Sequence, residues 1–337
     1  MRTRLLAFAL CLPLVTGAST AFAADGTPGG DDARIVKTAW LDDRLVELTV
    51  GSPALGGRAM VRLLLPSTWR AEPRRHWPTL WLMHPGCGTG LTGPDCDYRA
   101  WTKNSRVEGL TERTGVIVAM PDAGQAGWFS NWWNGGEYGS PAWETFHLTE
   151  LPALLKTVFR ADGRYAVAGS SRGGFGSISY AARNPGFFAA AAAFSGTVDT
   201  TYEYAPGQSV SRQIEEQVKA TGADPTALWG DPVKQADIWS AHNPVDLAAK
   251  LKGTKLFVSY GTGAAGPLDP PGSSTDPAEQ FISRENTEFS SKLAAAGAAV
   301  TTDAYGEGTH TWPYWDRELG RALPFLTGAL GATSTRS

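Results

Sequence analysis

The segment Gly169-Ser170-Ser171-Arg172-Gly173 sets a serine between two glycines in G-x-S-x-G spacing. An apolar, strand-like run over 165–169 leads into it, and a helical pattern ending near Asn184-Pro185 leads out. In that context the spacing describes a sharp strand-to-helix turn that lifts one hydroxyl clear of a sheet. The helix N-terminus then presents unpaired N–H groups and positive dipole where negative charge develops on a carbonyl oxygen. The chemistry this suits is nucleophilic attack on a carbonyl. Ser171 is in register for the turn and Ser170 is not, so Ser171 is the expected nucleophile.

A serine hydroxyl attacks poorly unless a base takes its proton. The chain has five histidines: His76, His84, His147, His242 and His310. His310 lies late, in Gly308-Thr309-His310-Thr311-Trp312, between the last strand-like and last helical segments. That is where the base falls in the chain order serine, acid, histidine. His242-Asn243-Pro244 reads as a loop cap rather than a ligand. The acid should follow the strand at 255–260 and precede His310, and the candidates there are Asp269, Asp276, Glu279, Glu285 and Glu288. Spacing alone does not choose among them. His84-Pro85-Gly86-Cys87-Gly88 directly follows a strand-like run ending at Met83. Such a loop can offer one oxyanion N–H, with a second from Arg172, and each such donor is worth ~3 kcal/mol in a transition state.

Among thirteen tryptophans, Trp128, Trp132 and Trp133 cluster in one segment, and Trp312 follows the histidine. These rings could line an acyl groove or stack on a sugar, the competing reading being core and rim packing. No Cys/His/Asp spacing suggests a metal and no glycine-rich loop has phosphate-cradle form, so no cofactor is expected.

Strand-like runs at 34–39, 45–50, 59–65, 79–83, 115–120, 165–169, 188–195, 255–260 and 299–305 must carry these groups. Helical patterns at 143–159, 277–296 and 312–326 alternate with the later strands. That alternation implies a mostly parallel central sheet with helices on both faces, and the G-x-S-x-G turn upon it fits the α/β-hydrolase type. Residues 197–240 are polar and irregular, with helical potential at 211–220, and read as a lid-like insertion over a site. We expect a single catalytic domain over 34–330, a flexible lead-in at 24–33 and a tail at 331–337.

The 337 residues are 19% charged and 42% apolar, which suits one large domain with its own core. A formal charge of −3 gives no field to attract nucleic acid, which excludes it as an expected partner. Arg2 and Arg4, an apolar run over 5–15 and Ala21-Phe22-Ala23 form a secretory signal over 1–23, cleaved before Ala24. No apolar run reaches the ~20 residues of a bilayer span, so stable membrane insertion is not expected. A secreted chain, extracellular or cell-wall associated, would retain Cys87 and Cys96, a pair expected to form a disulfide bracing the oxyanion loop.

Beyond these residues the chain resembles the secreted mycolyltransferases of the antigen 85 type, and the wider Putative esterase family of α/β-hydrolases containing S-formylglutathione hydrolases. Gly124-Gln125 through Phe129-Ser130-Asn131-Trp132 is similar to the family's G-Q-x-x-x-x-S-D-W. Trp143-Glu144-Thr145-Phe146 with Glu150-Leu151-Pro152 resembles W-E-T-F…E-L-P, and 308–315 resembles G-T-H-S-W-x-Y-W. The family's catalytic glutamate precedes an asparagine by seven residues on one helix. Glu279 and Asn286 match that spacing, so the resemblance implies Glu279 as acid, with Asp269 in reserve. It also implies the N–H groups of Cys87 and Arg172 as the oxyanion pair.

The mycolyltransferases carry L-R-A-Q-D-D, associated with the trehalose acceptor, before F-S-G-W. Here the stretch 87–97 is longer and has no arginine before Tyr98-Arg99-Ala100-Trp101. The elbow has Arg172-Gly173-Gly174 in place of M-A-A, and an arginine exposed at the oxyanion corner would suit an acidic or polar acyl group. The implied activity is a secreted serine carboxylic-ester hydrolase working through an acyl-serine on a small-molecule or glycolipid ester. An antigen 85-type acyltransferase, moving the acyl group to a sugar or glyceride alcohol, is the alternative. A non-catalytic binding or adhesin protein on the same scaffold would not need Ser171 and His310.

Overall fold

Strand β4 (Trp77–Met83) is buried along its whole length, as a strand must be when layers cover both its faces. In the computed structural model, which describes residues 32–87 and 91–332, it lies at the centre of a nine-stranded sheet. The signal at 1–23, the lead-in except its last two residues, Gly88 and 333–337 of the tail lie outside the described residues.

Three strands enter at one edge: β1 (Arg34–Trp40), β2 (Leu45–Ser52) and β3 (Gly57–Leu64). Then come β5 (Ile117–Pro121), β6 (Ala161–Ser170) and β7 (Phe188–Phe194). A small hairpin, β8 (Glu203–Ala205) with β9 (Gln208–Ser209), stands apart, and β10 (Lys255–Tyr260) and β11 (Val300–Ala304) complete the sheet. Its order is β1-β2-β3-β5-β4-β6-β7-β10-β11. The first three strands pair antiparallel, as do β3 and β5, and every later pair is parallel. This is the mostly parallel, two-faced α/β-hydrolase sheet that the strand–helix alternation implies.

The helices are α1 (Ala100–Asn104), α2 (Val107–Thr111), α3 (Trp143–Thr145), α4 (Leu151–Phe159), α5 (Arg172–Arg183), α6 (Val210–Ala220), α7 (Ala236–Ser240), α8 (Pro277–Ala295) and α9 (Trp312–Ala329). Leu155, Phe175, Ile214 and Phe289 carry α4, α5, α6 and α8 into one core. Trp101, Val107, Trp315 and Leu326 carry α1, α2 and α9 into a second. The helical pattern at 143–159 is not one α-helix, because a π turn at Phe146–Glu150 joins α3 to α4. Pro152, in the first turn of α4, has no N–H to continue the α ladder back into that turn. In the insertion at 197–240, Val210, Ile214 and Val218 repeat at four-residue steps and bury one face of α6. Ser209 caps that helix by accepting from the Arg212 N–H at 3.2 Å.

Candidate active site

Ser171 stands alone between the last residue of β6 and the first of α5, at φ 53° and ψ −122°. A non-glycine residue in that region is strained, and surrounding bonds hold it there. Its N–H donates to the Phe194 carbonyl at 3.0 Å, and its own carbonyl accepts from Phe175 at 3.1 Å and Thr197 at 3.3 Å. The flanking glycines are sterically required. A Cβ on Gly169 would lie 2.3 Å from the Gly173 carbonyl oxygen, and one on Gly173 would lie 2.3 Å from the Met83 oxygen.

The loop after β11 delivers His310, whose Nε2 lies 2.8 Å from Ser171 Oγ and whose Nδ1 lies 2.8 Å from Glu279 Oε2. The Trp315 ring meets the imidazole edge-on, at 4.9 Å between centroids. Glu279 sits in the first turn of α8 with no exposed surface. Its Oε1 accepts from the Gly261 N–H at 2.7 Å and the Ser195 hydroxyl at 2.8 Å, leaving Oε2 for the histidine. Each of its oxygens is thus held by a hydrogen bond. The bonding pattern assigns His310 the tautomer with hydrogen on Nδ1, so that Nε2 is free to accept the serine proton.

The other acid candidates lie elsewhere. Asp269 does not reach the ring. It accepts from Gly266 N–H and Tyr314 OH, both at 2.8 Å, and from the Thr309 hydroxyl, so it fastens the residue before His310. Partial burial would raise its carboxyl, but these three bonds outweigh that and hold it below the usual carboxylate range. Glu285 is buried and accepts from Val198 N–H at 3.1 Å, and burial pushes its carboxyl well above the ordinary value. Glu288 is exposed beside Lys292. Asn286 donates to the Gly196 carbonyl at 2.8 Å, pinning the loop that carries Ser195 and Thr197. Asp276 accepts from the His310 backbone N–H at 2.8 Å, a part that composition and spacing did not single out.

A cavity of about 570 Å³ opens over Ser171 and His310, within the usual range for a small-molecule site. Gly86, Cys87 and Arg172 line it together with Ser171, and Trp128, Val210, Ile214, Phe281 and Ile282 supply apolar wall. The insertion therefore contributes lining through α6. Trp312 also lines the cavity, whereas Trp132 and Trp133 are not among its lining residues. Trp132 is instead packed in the core, and the Trp133 N–H donates to the Leu228 carbonyl at 2.8 Å. Cys87 and Cys96 form a disulfide with Cα atoms 5.1 Å apart. His84, buried behind the same loop, donates from Nδ1 to the Pro85 carbonyl at 2.7 Å and accepts at Nε2 from Ala123 N–H at 3.0 Å. The sequence offered only its place after β4 as a signal for that brace.

Arg172 is not an exposed arginine. Its side chain is 2% exposed and folds back to donate to the Gln125 carbonyl and, at 3.1 Å, to the Gly124 carbonyl. Burial lowers its guanidinium to about 10. The cation is thus committed to backbone oxygens, and the expectation of an acidic or polar acyl group, drawn from an exposed arginine, loses its premise. The Arg172 N–H opens α5, where first-turn donors have no acceptor within the helix. Among the described residues no group of three or more His, Cys, Asp or Glu is placed to hold a metal ion.

Residues 52–326 match the profile of the Putative esterase family. The chain belongs to that family. This esterase-family chain is 33% identical over 284 residues to Esterase MT1326 of Mycobacterium tuberculosis (strain CDC 1551 / Oshkosh), covering 81% of this chain and 57% of that protein. It thus spans little more than half the length of that relative. It is 29% identical over 252 residues to the diacylglycerol acyltransferase/mycolyltransferase Ag85B of Mycobacterium leprae (strain TN), covering 72% of this chain and 75% of that one. The crystal structure of Mycobacterium tuberculosis MPT51 (FbpC1) superposes with a TM-score of 0.65 at 23% identity, covering 84% and 97% of the two chains. That likeness speaks for the α/β-hydrolase fold.

Proposed function

We propose that this chain is a serine carboxylic-ester hydrolase working through an acyl-serine intermediate. The observation that carries the reading is the relay from Ser171 Oγ to His310 Nε2 and from His310 Nδ1 to Glu279, each step 2.8 Å, on the wall of a cavity. Ser171 Oγ attacks the ester carbonyl while its proton passes to His310 Nε2, and Glu279 stabilises the imidazolium formed. The N–H groups of Cys87 and Arg172 receive the carbonyl oxygen as it becomes an oxyanion. Collapse breaks the bond to the alcohol, which leaves with the proton from His310. Water then attacks the acyl-serine by the same route and restores the serine.

The apolar wall of Trp128, Val210, Ile214, Phe281 and Ile282, together with the inward commitment of Arg172, supports a neutral acyl group on a small-molecule or glycolipid ester. The Cys87–Cys96 disulfide and the signal pattern over 1–23 support export. We assign catalysis to one domain over 34–330, with 197–240 as its lid.

A second reading, acyl transfer to a bound alcohol, is favoured by the likeness to Ag85B. The two differ only in whether water or an alcohol takes the acyl group. Turnover of p-nitrophenyl esters of graded acyl length, with and without a sugar acceptor, separates them. Free acid as the sole product in both arms fits hydrolysis. An acylated sugar at the expense of free acid would establish transfer, and absence of any turnover or serine acylation would sink both.

A further inference from the structure

We infer that Asp276 is a positioning residue for the proposed relay, setting the His310 ring through its backbone while fixing the helix turn that carries Glu279. The inference rests on the Ser-His-Glu reading above. Asp276 is the N-cap of α8, and its Oδ1 accepts from the N–H groups of Ala278 at 2.9 Å and Glu279 at 3.4 Å. Its Oδ2 accepts from the His310 N–H at 2.8 Å. One carboxylate therefore joins the backbones of the base and of its acid, which are 31 residues apart in sequence.

Capping alone does not require this. A single hydroxyl caps α6 at Ser209, so one oxygen is enough for the helix. The second oxygen of Asp276 serves the histidine. Asp276 is itself held in the same stitching: its N–H donates to the Gly263 carbonyl at 2.7 Å, and the Gly263 N–H donates to the Gly308 carbonyl at 3.0 Å.

The histidine loop has other fastenings, including Gly308 N–H to Ala264 at 2.7 Å and the Thr309 hydroxyl to Asp269. Loss of the Asp276 contact would leave the loop in place but let the His310 backbone turn. Nε2 lies at the far side of the ring from that backbone, so a small turn displaces it against Ser171. A misplacement of ~1 Å in a reacting geometry costs about a hundredfold in rate.

Asp276→Ser separates the two duties, because a serine hydroxyl still caps but is too short to reach His310 as well. On a p-nitrophenyl ester the expected result is a kcat lower by about thirty- to a hundredfold. KM should stay within about twofold and the melting temperature close to wild type. The low-field proton NMR signal of the His310 Nδ1–H bonded to Glu279 should broaden or move upfield. Wild-type kcat with an unchanged low-field signal would show that Asp276 is only a cap and overturn the inference. If Asp276→Ser does not fold, Asp276→Asn carries the same test, since its oxygen can cap while its amide sets donor against donor at His310. It should lose kcat at least as strongly, and full activity would overturn the inference equally. Fluorophosphonate labelling of the wild type runs alongside. An unlabelled wild type sinks the serine reading itself, whereas a labelled wild type beside a fully active variant sinks only the role of Asp276.

Discussion

Glu279→Gln keeps the shape of the buried side chain and removes its charge, and the bonds around it dictate how the new amide must sit. The Glu279 oxygen facing Gly261 N–H and the Ser195 hydroxyl accepts three bonds, at 2.7 and 2.8 Å from these and at 3.4 Å from the Tyr305 hydroxyl. The other meets only His310 Nδ1, at 2.8 Å. A glutamine oxygen will stay on the side with three donors, so its NH2 must face the histidine. His310 then accepts at Nδ1 and carries its hydrogen on Nε2, pointing at Ser171 Oγ. In that tautomer the ring cannot take the serine proton, and the loss known for a comparable acid-to-amide change is ~10⁴ in kcat. Four decades correspond to about 5.4 kcal/mol of transition-state stabilisation. Asp269→Asn, which touches Thr309 and Tyr314 but not the ring, should change kcat by less than about tenfold. Steady-state turnover of a p-nitrophenyl ester by both folded variants decides the matter. A Glu279→Gln enzyme within tenfold of wild type, or an equal loss in Asp269→Asn, would refute the reasoning.

Reducing Cys87–Cys96 should lower turnover tenfold or more at a temperature where the chain remains folded, because the bridge includes Cys87, a cavity-lining residue whose N–H we propose as an oxyanion donor. Unchanged turnover after verified reduction would remove that link. Ile214→Ala enlarges the α6 wall of the cavity, and at ~0.8 kcal/mol per buried methylene the kcat/KM ratio of longer to shorter acyl esters should rise about fourfold for each added methylene it accommodates. An unchanged acyl-length profile would mean that the acyl group does not lie against α6. Burial holds His147 down at about 4 and His242 at about 3, whereas unfolded imidazole titrates near 6.5. The native state binds fewer protons, so this stability is full above pH ~6.5 and is lost as pH falls through about 4, by about 3 kcal/mol for His147 alone. Melting temperatures from pH 7 to 4 should fall, less steeply in His147→Gln, and an equal slope in that variant would contradict the assignment.

The sheet was legible because parallel strands buried on both faces read as unbroken apolar runs, as at Trp77–Met83 and Phe188–Phe194. The elbow was legible because its glycines answer a local steric demand at 169 and 173. His310 had a place in chain order and a resemblance over 308–315, whereas chain order left several carboxylates for the acid and only the Glu279–Asn286 resemblance chose among them. Seven carboxylates lie between Tyr260 and His310, and what sets Glu279 apart is burial against Gly261 and Ser195, contacts from segments distant in sequence. The same limit hid the paired duty of Asp276. Side-chain direction was the least legible feature. Arg172 turns inward to carbonyls of a loop more than 40 residues away, and Trp132 is core while Trp128, four residues earlier, lines the cavity.

The central claim is a covalent acyl group on Ser171. Acid-quenching the enzyme during turnover of a slowly hydrolysed p-nitrophenyl ester, followed by peptide mass spectrometry, tests it directly. The expected result is one acyl group per chain on the peptide bearing Ser171, abolished in Ser171→Ala and kept in Ser170→Ala. An adduct on another residue, or undiminished acylation of the Ser171→Ala enzyme, would contradict it.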